Sequence, residues 1–478
     1  MTRPTTVHVF GDDALGTDDA TGVAARIASR EISPLEATEA AIARIERADP
    51  HLGAMAFRAF DTAVERARTL TRPRGAFGGV PALVKENIHV RGMPMTMGST
   101  ALPSRPQRRD GGFTRQLLDT GVTLLGATKM PEFGWTATTE RMGGDVTRNP
   151  WHTDFSAGGS SGGSAALVAA GAVPIAHGND GGGSIRIPAA VCGLVGLKPT
   201  RGRLRADESN EAMPVKVVAD GVLTRSVRDV ARFLEAAELT YRNPALPPIG
   251  SVAEGPARRL RIGVVVDSPA AAPSDRETRA AVERTAAVLA GLGHEVVEHT
   301  PTMPRTFRAD FEDYWSLLAL GVVVSGRRLF GADFDTGALD PLTVGLARRA
   351  RRRIVRMPLV VARLRASGRA YDRAFDEVDL VLSPVLRHTT PRIGHLSADL
   401  DFARHFERLV DYAVFTPWHN ATGAPAISLP SGRTDDGLPI GVMLGARTGD
   451  DRRLLEIGFE LEEAAPFPRI EDLVPPLD

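Results

Sequence analysis

Three residues of types able to carry acyl-transfer chemistry stand in unusual company. Ser160 and Ser184 each sit in a glycine cluster, Gly158-Gly159-Ser160-Ser161-Gly162-Gly163-Ser164 and Asn179-Asp180-Gly181-Gly182-Gly183-Ser184-Ile185-Arg186-Ile187-Pro188. Lys85 ends the apolar run Pro81-Ala82-Leu83-Val84. Of 58 basic residues only four are lysines, Lys85, Lys129, Lys198 and Lys216. Arginine serves almost wherever a fixed charge suffices, and a lysine in an apolar run stands out because lysine can lose its proton and arginine cannot.

Three chemistries compete for the glycine clusters. Gly158 and Gly163 have phosphate-loop spacing, but Ser164 stands where that loop needs lysine, so the nucleotide reading fails. Gly158-x-Ser160-x-Gly162 fits a nucleophile elbow, which requires a preceding strand and a histidine partner; residues Asn149–Asp154 read as a turn. In the third reading both clusters hold serines in one site. Gly181-Gly182-Gly183-Ser184 can aim consecutive N–H groups at one point, the nest a tetrahedral oxyanion needs.

The elements that must position these residues alternate between helix and strand. Ser33-Pro34-Leu35-Glu36 is a capping box with proline at the first helical position, predicting an amphipathic helix to about Asp49. Val122–Ala127 reads as a buried strand, and Ser164–Ala172 as a tightly packed helix. Arg261–Val266, a helix over Arg276–Gly291 and His294–Glu298 read as a βαβ-like unit. Further strands are predicted at Leu380–Ser383, Ala426–Leu429 and Ile440–Leu444. The expectation is an α/β fold with a large mixed, mostly parallel twisted sheet covered by helices on both faces. Residues 240–256 read as a surface connection. The arginines of 348–353 read as the solvated face of a helix with apolar residues at Leu342, Leu346, Ile354 and Leu359.

Composition excludes several function classes. With 58 acidic residues against 58 basic ones the formal charge is zero, so nothing global attracts nucleic acid or a membrane surface. A lone cysteine, Cys192, precludes an internal disulfide or thiolate cluster and reads as a small core residue. No signal peptide or membrane span is visible, so a cytoplasmic location is expected.

The stretch Gly158–Ser164, the block Asp180–Pro188 and Gly196-Leu197-Lys198-Pro199-Thr200 resemble the amidase signature family. Gly79–Asn87 resembles its lysine segment, and Asn420–Ala426 with Gly437–Val442 its C-terminal pattern. The match runs from about residue 20 to 465, weakest around 240–255 and 300–375. The resemblance implies a single domain over 1–478: N-terminal helices (19–71), a catalytic core (about 75–235), a more variable region (about 240–375) and a C-terminal return (about 376–470). It implies Ser184 as nucleophile, Ser160 as a bridging serine after a cis bond at Gly159–Ser160, and Lys85 as base. The oxyanion hole maps onto the backbone of Gly181, Gly182, Gly183 and Ser184, while Ser161, Asp180 and Arg186 brace the site. The chain departs from the usual pattern at Asn179, where threonine is common, and at Gly181. No metal and no cofactor are implied.

For such a relay Lys85 must be neutral part of the time. An unperturbed lysine titrates near 10.4, and burial lowers that value. Glu86 and His89 read as network- or solvent-facing, and His177 as a structural strand residue. The family analogy places Phe133, Trp135 and Thr136 along the substrate cleft, with Trp315 and Trp418 as further candidates. The implied activity is hydrolysis of small-molecule carboxamides, with esters and carbamates sharing the geometry. Two alternatives stay open: the glutaminase subunit of a tRNA-dependent amidotransferase, against which Ile187 stands where glutamine is usual, and a non-catalytic binding protein. A homodimer is compatible with the sequence.

Overall fold

The computed structural model describes residues 5–300 and 303–477. Among the described residues thirteen strands are formed. The first seven are β1 (Met55–Arg58), β2 (Pro81–Lys85), β3 (Thr123–Thr128), β4 (Arg148–Asn149), β5 (His152–Ser156), β6 (Ile175–Asp180) and β7 (Val195–Lys198). The rest are β8 (Ala219–Thr224), β9 (Arg261–Val264), β10 (Glu295–Glu298), β11 (Leu380–Pro384), β12 (Ala426–Arg433) and β13 (Pro439–Ala446). Strands β4 and β5 pair as a small ribbon; the other eleven make one sheet in the order β1-β3-β2-β6-β8-β7-β12-β13-β11-β9-β10.

The sheet is mixed, as expected, but its balance is not. Six neighbouring pairs are antiparallel and four parallel. The reason lies in the connections. A parallel pair needs a full crossover, whereas a short link reverses the chain. Residues 434–438 join β12 to β13 as a hairpin, and β8 lies between β6 and β7, antiparallel to both. Parallel order survives in the group β3-β2-β6 and in β11-β9-β10.

Local signals explain the elements around the core. Ser33 Oγ accepts from the Glu36 N–H at 3.1 Å, and the Glu36 carboxylate accepts from the Ser33 N–H at 2.7 Å. The helix they open, Pro34–Leu52, buries Ala37, Ala41, Ile45, Ala48 and Leu52 on one face and stops at Gly53, whose φ is 65°. Glycine tolerates this left-handed end, which lies three residues beyond the predicted one. The small-residue helix forms at Gly162–Ala169, fully buried and shifted toward the N-terminus of its expected position. Cys192 is buried, as read from the sequence.

Two expectations need correction. The segment 149–154, read as a turn, contains the start of β5, although this ribbon lies outside the main sheet. In the arginine-rich helix Pro341–Arg353, Leu342 and Leu346 are buried, but Ile354 and Leu359 lie beyond its end and are exposed. That helix is also more than a solvated face, because Arg349 and Arg353 pair with Asp313. Among the described residues no helix is long and apolar enough to cross a membrane.

Candidate active site

Topology brings the chemistry to one edge. Strands β2, β3 and β6 run parallel, so their C-terminal ends share one side of the sheet, where open α/β sheets bind ligands. Lys85 ends β2, and Asn179-Asp180 end β6 and lead into the glycine turn. Residues after Thr128 of β3 run on through Trp135 and Thr136 to the cleft.

Lys85 is completely buried, and its Nζ donates to Ser160 Oγ at 2.7 Å and to Asn179 Oδ1 at 2.7 Å. Burial drives its pKa from 10.5 to about 7, against the opposing pull of Asp180, Asp220 and Glu86. The Gly159–Ser160 peptide bond is cis. Gly134, at φ 73°, presses on Ser160: a Cβ there would lie 2.9 Å from Ser160 Oγ, so only glycine fits. Ser161 caps the helix Gly162–Ala169 in position, and its hydroxyl donates to the Asn179 carbonyl at 3.3 Å.

Ser184 borders the cleft together with Gly159 and Gly182. Among the described residues its hydroxyl makes no hydrogen bond, and its carbonyl accepts from the Ser161 N–H at 3.3 Å. The turn before it is held from beneath. Asp180 accepts from the N–H groups of Gly183 at 2.7 Å and Ile185 at 3.1 Å, and forms two 2.9 Å bonds with the Arg186 guanidinium. Both side chains are wholly buried. Burial alone would raise the Asp180 pKa, but Arg186 and the Asn420 amide hold it well below the carboxylate range. Asn420 Nδ2 donates to Asp180 Oδ1 at 2.8 Å, and Arg186 Nη2 donates to Asn420 Oδ1 at 2.7 Å. Thr416 Oγ1 donates to the Gly182 carbonyl at 2.6 Å.

The Gly183 N–H is spent on Asp180, whereas the N–H groups of Gly181, Gly182 and Ser184 have no hydrogen-bond partner among the described residues. Asp180 and Arg186 brace the turn, and Ser161 ties the two glycine clusters together. Glu86 faces a network, accepting from the Met130 N–H at 3.0 Å and pairing with Arg141. His89 faces Asp207 at 3.7 Å.

The cleft beside Ser184 encloses about 780 Å³, its mouth included, between apolar walls. Trp135 and Thr136 line it, and the Thr136 hydroxyl is bonded to His405 Nε2 at 2.9 Å. Phe133 does not line it. At φ 48° in a one-turn 3₁₀ segment, it turns into a cluster with Leu102 and Leu339 and lies tilted against the Phe330 ring, 5.9 Å between ring centres. Trp315 lines the cleft; Trp418 lies behind it against Phe307, 4.5 Å between ring centres.

Sequence reasoning missed Phe307 and Phe311, which share a face of the helix Phe307–Phe330 with Trp315. Their i, i+4, i+8 spacing was the available signal. Leu409 and Val414, on and just after the helix Phe402–Tyr412, complete the opposite wall.

Comparison with known proteins agrees with this geometry. The Amidase family model matches residues 36–455. A Mycobacterium tuberculosis (strain ATCC 25618 / H37Rv) protein provisionally named amidase AmiC is 48% identical over 97% of this chain and 98% of its own. The solved structure of a 6-aminohexanoate cyclic dimer hydrolase with substrate superposes at TM-score 0.85, with 32% identity, covering 94% of this chain and 98% of that one. A bacterial aryl acylamidase of the amidase signature family superposes at 0.82 with 27% identity, over 94% and 96%. With the match spanning nearly the whole chain, the protein belongs to the amidase family and is a hydrolase of carbon–nitrogen bonds.

Proposed function

We propose that the protein hydrolyses small-molecule carboxamides through an acyl-enzyme on Ser184, with Ser160 and Lys85 relaying the proton. The observation that carries this reading is the 2.7 Å bond from a wholly buried Lys85 Nζ to Ser160 Oγ, with Ser184 and Gly159, the residue before Ser160, lining one cleft. A serine hydroxyl becomes a strong nucleophile only when a base takes its proton. A lysine titrating at about 7 is neutral for a large fraction of the protein at neutral pH and suits general-base work there.

On attack, the Ser184 proton passes to Ser160 as the Ser160 proton passes to Lys85. The oxyanion develops toward the N–H groups of Gly181, Gly182 and Ser184. Losing one such donor costs about 10²–10³ in turnover. Lys85 then returns its proton through Ser160 to the leaving nitrogen, and water repeats the sequence on the acyl-enzyme to release the acid. Asp180 and Arg186 hold the glycine turn so that its donors need no rearrangement.

Trp135, Phe311 and Trp315 beside the nucleophile suit an aryl or cyclic amide. The names of the cyclic dimer hydrolase and the aryl acylamidase support the same class. Esters and carbamates pass through the same tetrahedral geometry and are expected as secondary substrates.

Ser184→Ala and Lys85→Ala are each expected to reduce anilide hydrolysis by about 10³-fold or more while circular dichroism stays native. Intact mass after phenylmethylsulfonyl fluoride treatment should show one sulfonyl adduct in the wild type and none in Ser184→Ala. Near-wild-type turnover in either variant overturns the mechanism.

A further inference from the structure

The surroundings of Lys85 hold a pair of residues that the relay does not use. The β2–β6 ladder pairs Ala82 with Ile175 and Leu83 with Ala176. Two residues on, the Lys85 N–H donates to the side chain of His177, with Nδ1 at 3.3 Å. That acceptor role puts the ring proton on Nε2, which faces Asp220 Oδ1 on β8 at 3.2 Å. All three residues are buried, and the Phe113 ring covers His177 at 4.8 Å.

We propose that His177 and Asp220 are positioning residues for Lys85, the ring seating its backbone and the carboxylate setting how readily its amine releases a proton. This rests on the reading of Lys85 as the base. The charges facing Lys85 come from three elements: Asp180 at the end of β6, Asp220 on β8 and its own neighbour Glu86. Asp180 is neutralised by Arg186 and Glu86 by Arg141. Asp220 has no arginine or lysine partner among the described residues, only the ring N–H of His177. It also faces Asp207, which is turned to His89. Of the three carboxylates it is therefore the one whose charge no arginine or lysine offsets. Burial raises the Asp220 pKa, and the His177 N–H opposes that rise.

Removing a negative charge near an amine lowers the amine's pKa. In full-length enzyme assayed with p-nitroacetanilide, Asp220→Asn should move the acidic limb of kcat/KM about one pH unit lower. His177→Leu should lower kcat with KM unchanged, and His177→Gln, which keeps an acceptor and a donor, should restore part of it. The four lysines give few signals in protein labelled with ε-¹³C-lysine. Lys85, assigned by its loss in Lys85→Met, should titrate lower in Asp220→Asn by the same interval. Asp220→Ser removes the same charge in less volume and is read identically if Asp220→Asn does not fold. A limb and a Lys85 titration superimposable on wild type, with thermal stability alone reduced, overturn the proposal. Turnover surviving in Lys85→Met would instead overturn the base assignment beneath it.

Discussion

At the scale of single residues, the site depends on an amine kept where water cannot reach it. In the unfolded chain a lysine holds its proton up to about 10.4, while folded Lys85 releases it at about 7. Between these values the unfolded state binds more protons, so this group's contribution to stability rises with pH; at and below pH 7 nearly its whole cost is present. Lys85→Met is therefore expected to abolish turnover yet stabilise the protein at pH 7 by a few kcal/mol. Urea unfolding should show that gain shrinking as pH approaches 10, and a gain independent of pH would rule out desolvation of the amine as its cause. The scarcity of lysine made Lys85 conspicuous in the sequence. The role of Asn179 was not legible there, because its bond to Lys85 Nζ joins residues 94 positions apart on neighbouring strands.

At the scale of elements, the helix Phe307–Phe330 supplies an aromatic wall of the cleft. Trp315 is T-shaped against Trp135 at 5.3 Å and stacked with Phe311 at 5.7 Å. Its Nε1 donates to the Trp135 carbonyl at 3.1 Å, locking the wall. Phe311→Ala and Trp315→Ala are each expected to raise KM for an anilide about tenfold, the equivalent of ~1.4 kcal/mol, with kcat changed less. Equal KM values in a Michaelis series would remove the helix from substrate binding. The spacing of these aromatics was visible, but helical periodicity says which residues share a face and not what that face meets. Phe133 shows the converse. Its neighbours Trp135 and Thr136 line the cleft, yet a left-handed backbone in one 3₁₀ turn sends its ring elsewhere. The alternation of strands and helices announced a mixed sheet, while strand direction rested on whether each connection crosses over or folds back.

At the scale of the whole molecule, the C-terminal return closes a site built by the first half of the chain. Strand β12 pairs with β7, and Asn420 reaches Asp180 across 240 positions of sequence. Asn420→Ala leaves Asp180 and Arg186 short of one buried partner each. It is expected to cost about 1–3 kcal/mol of stability and to lower kcat at least tenfold as the glycine turn loosens. Thermal unfolding and steady-state rates check both, and a native kcat would show that the turn holds without this brace. The sequence alone determined the family, the serine–serine–lysine chemistry to look for and most of the strands, because glycine clusters, caps and apolar runs are local signals. Tertiary structure decided strand direction, which three nest amides stay free, which aromatics wall the cleft and how far the Lys85 amine is desolvated. Each of these depends on groups far apart in the chain being pressed together, and burial and proximity have no local signature.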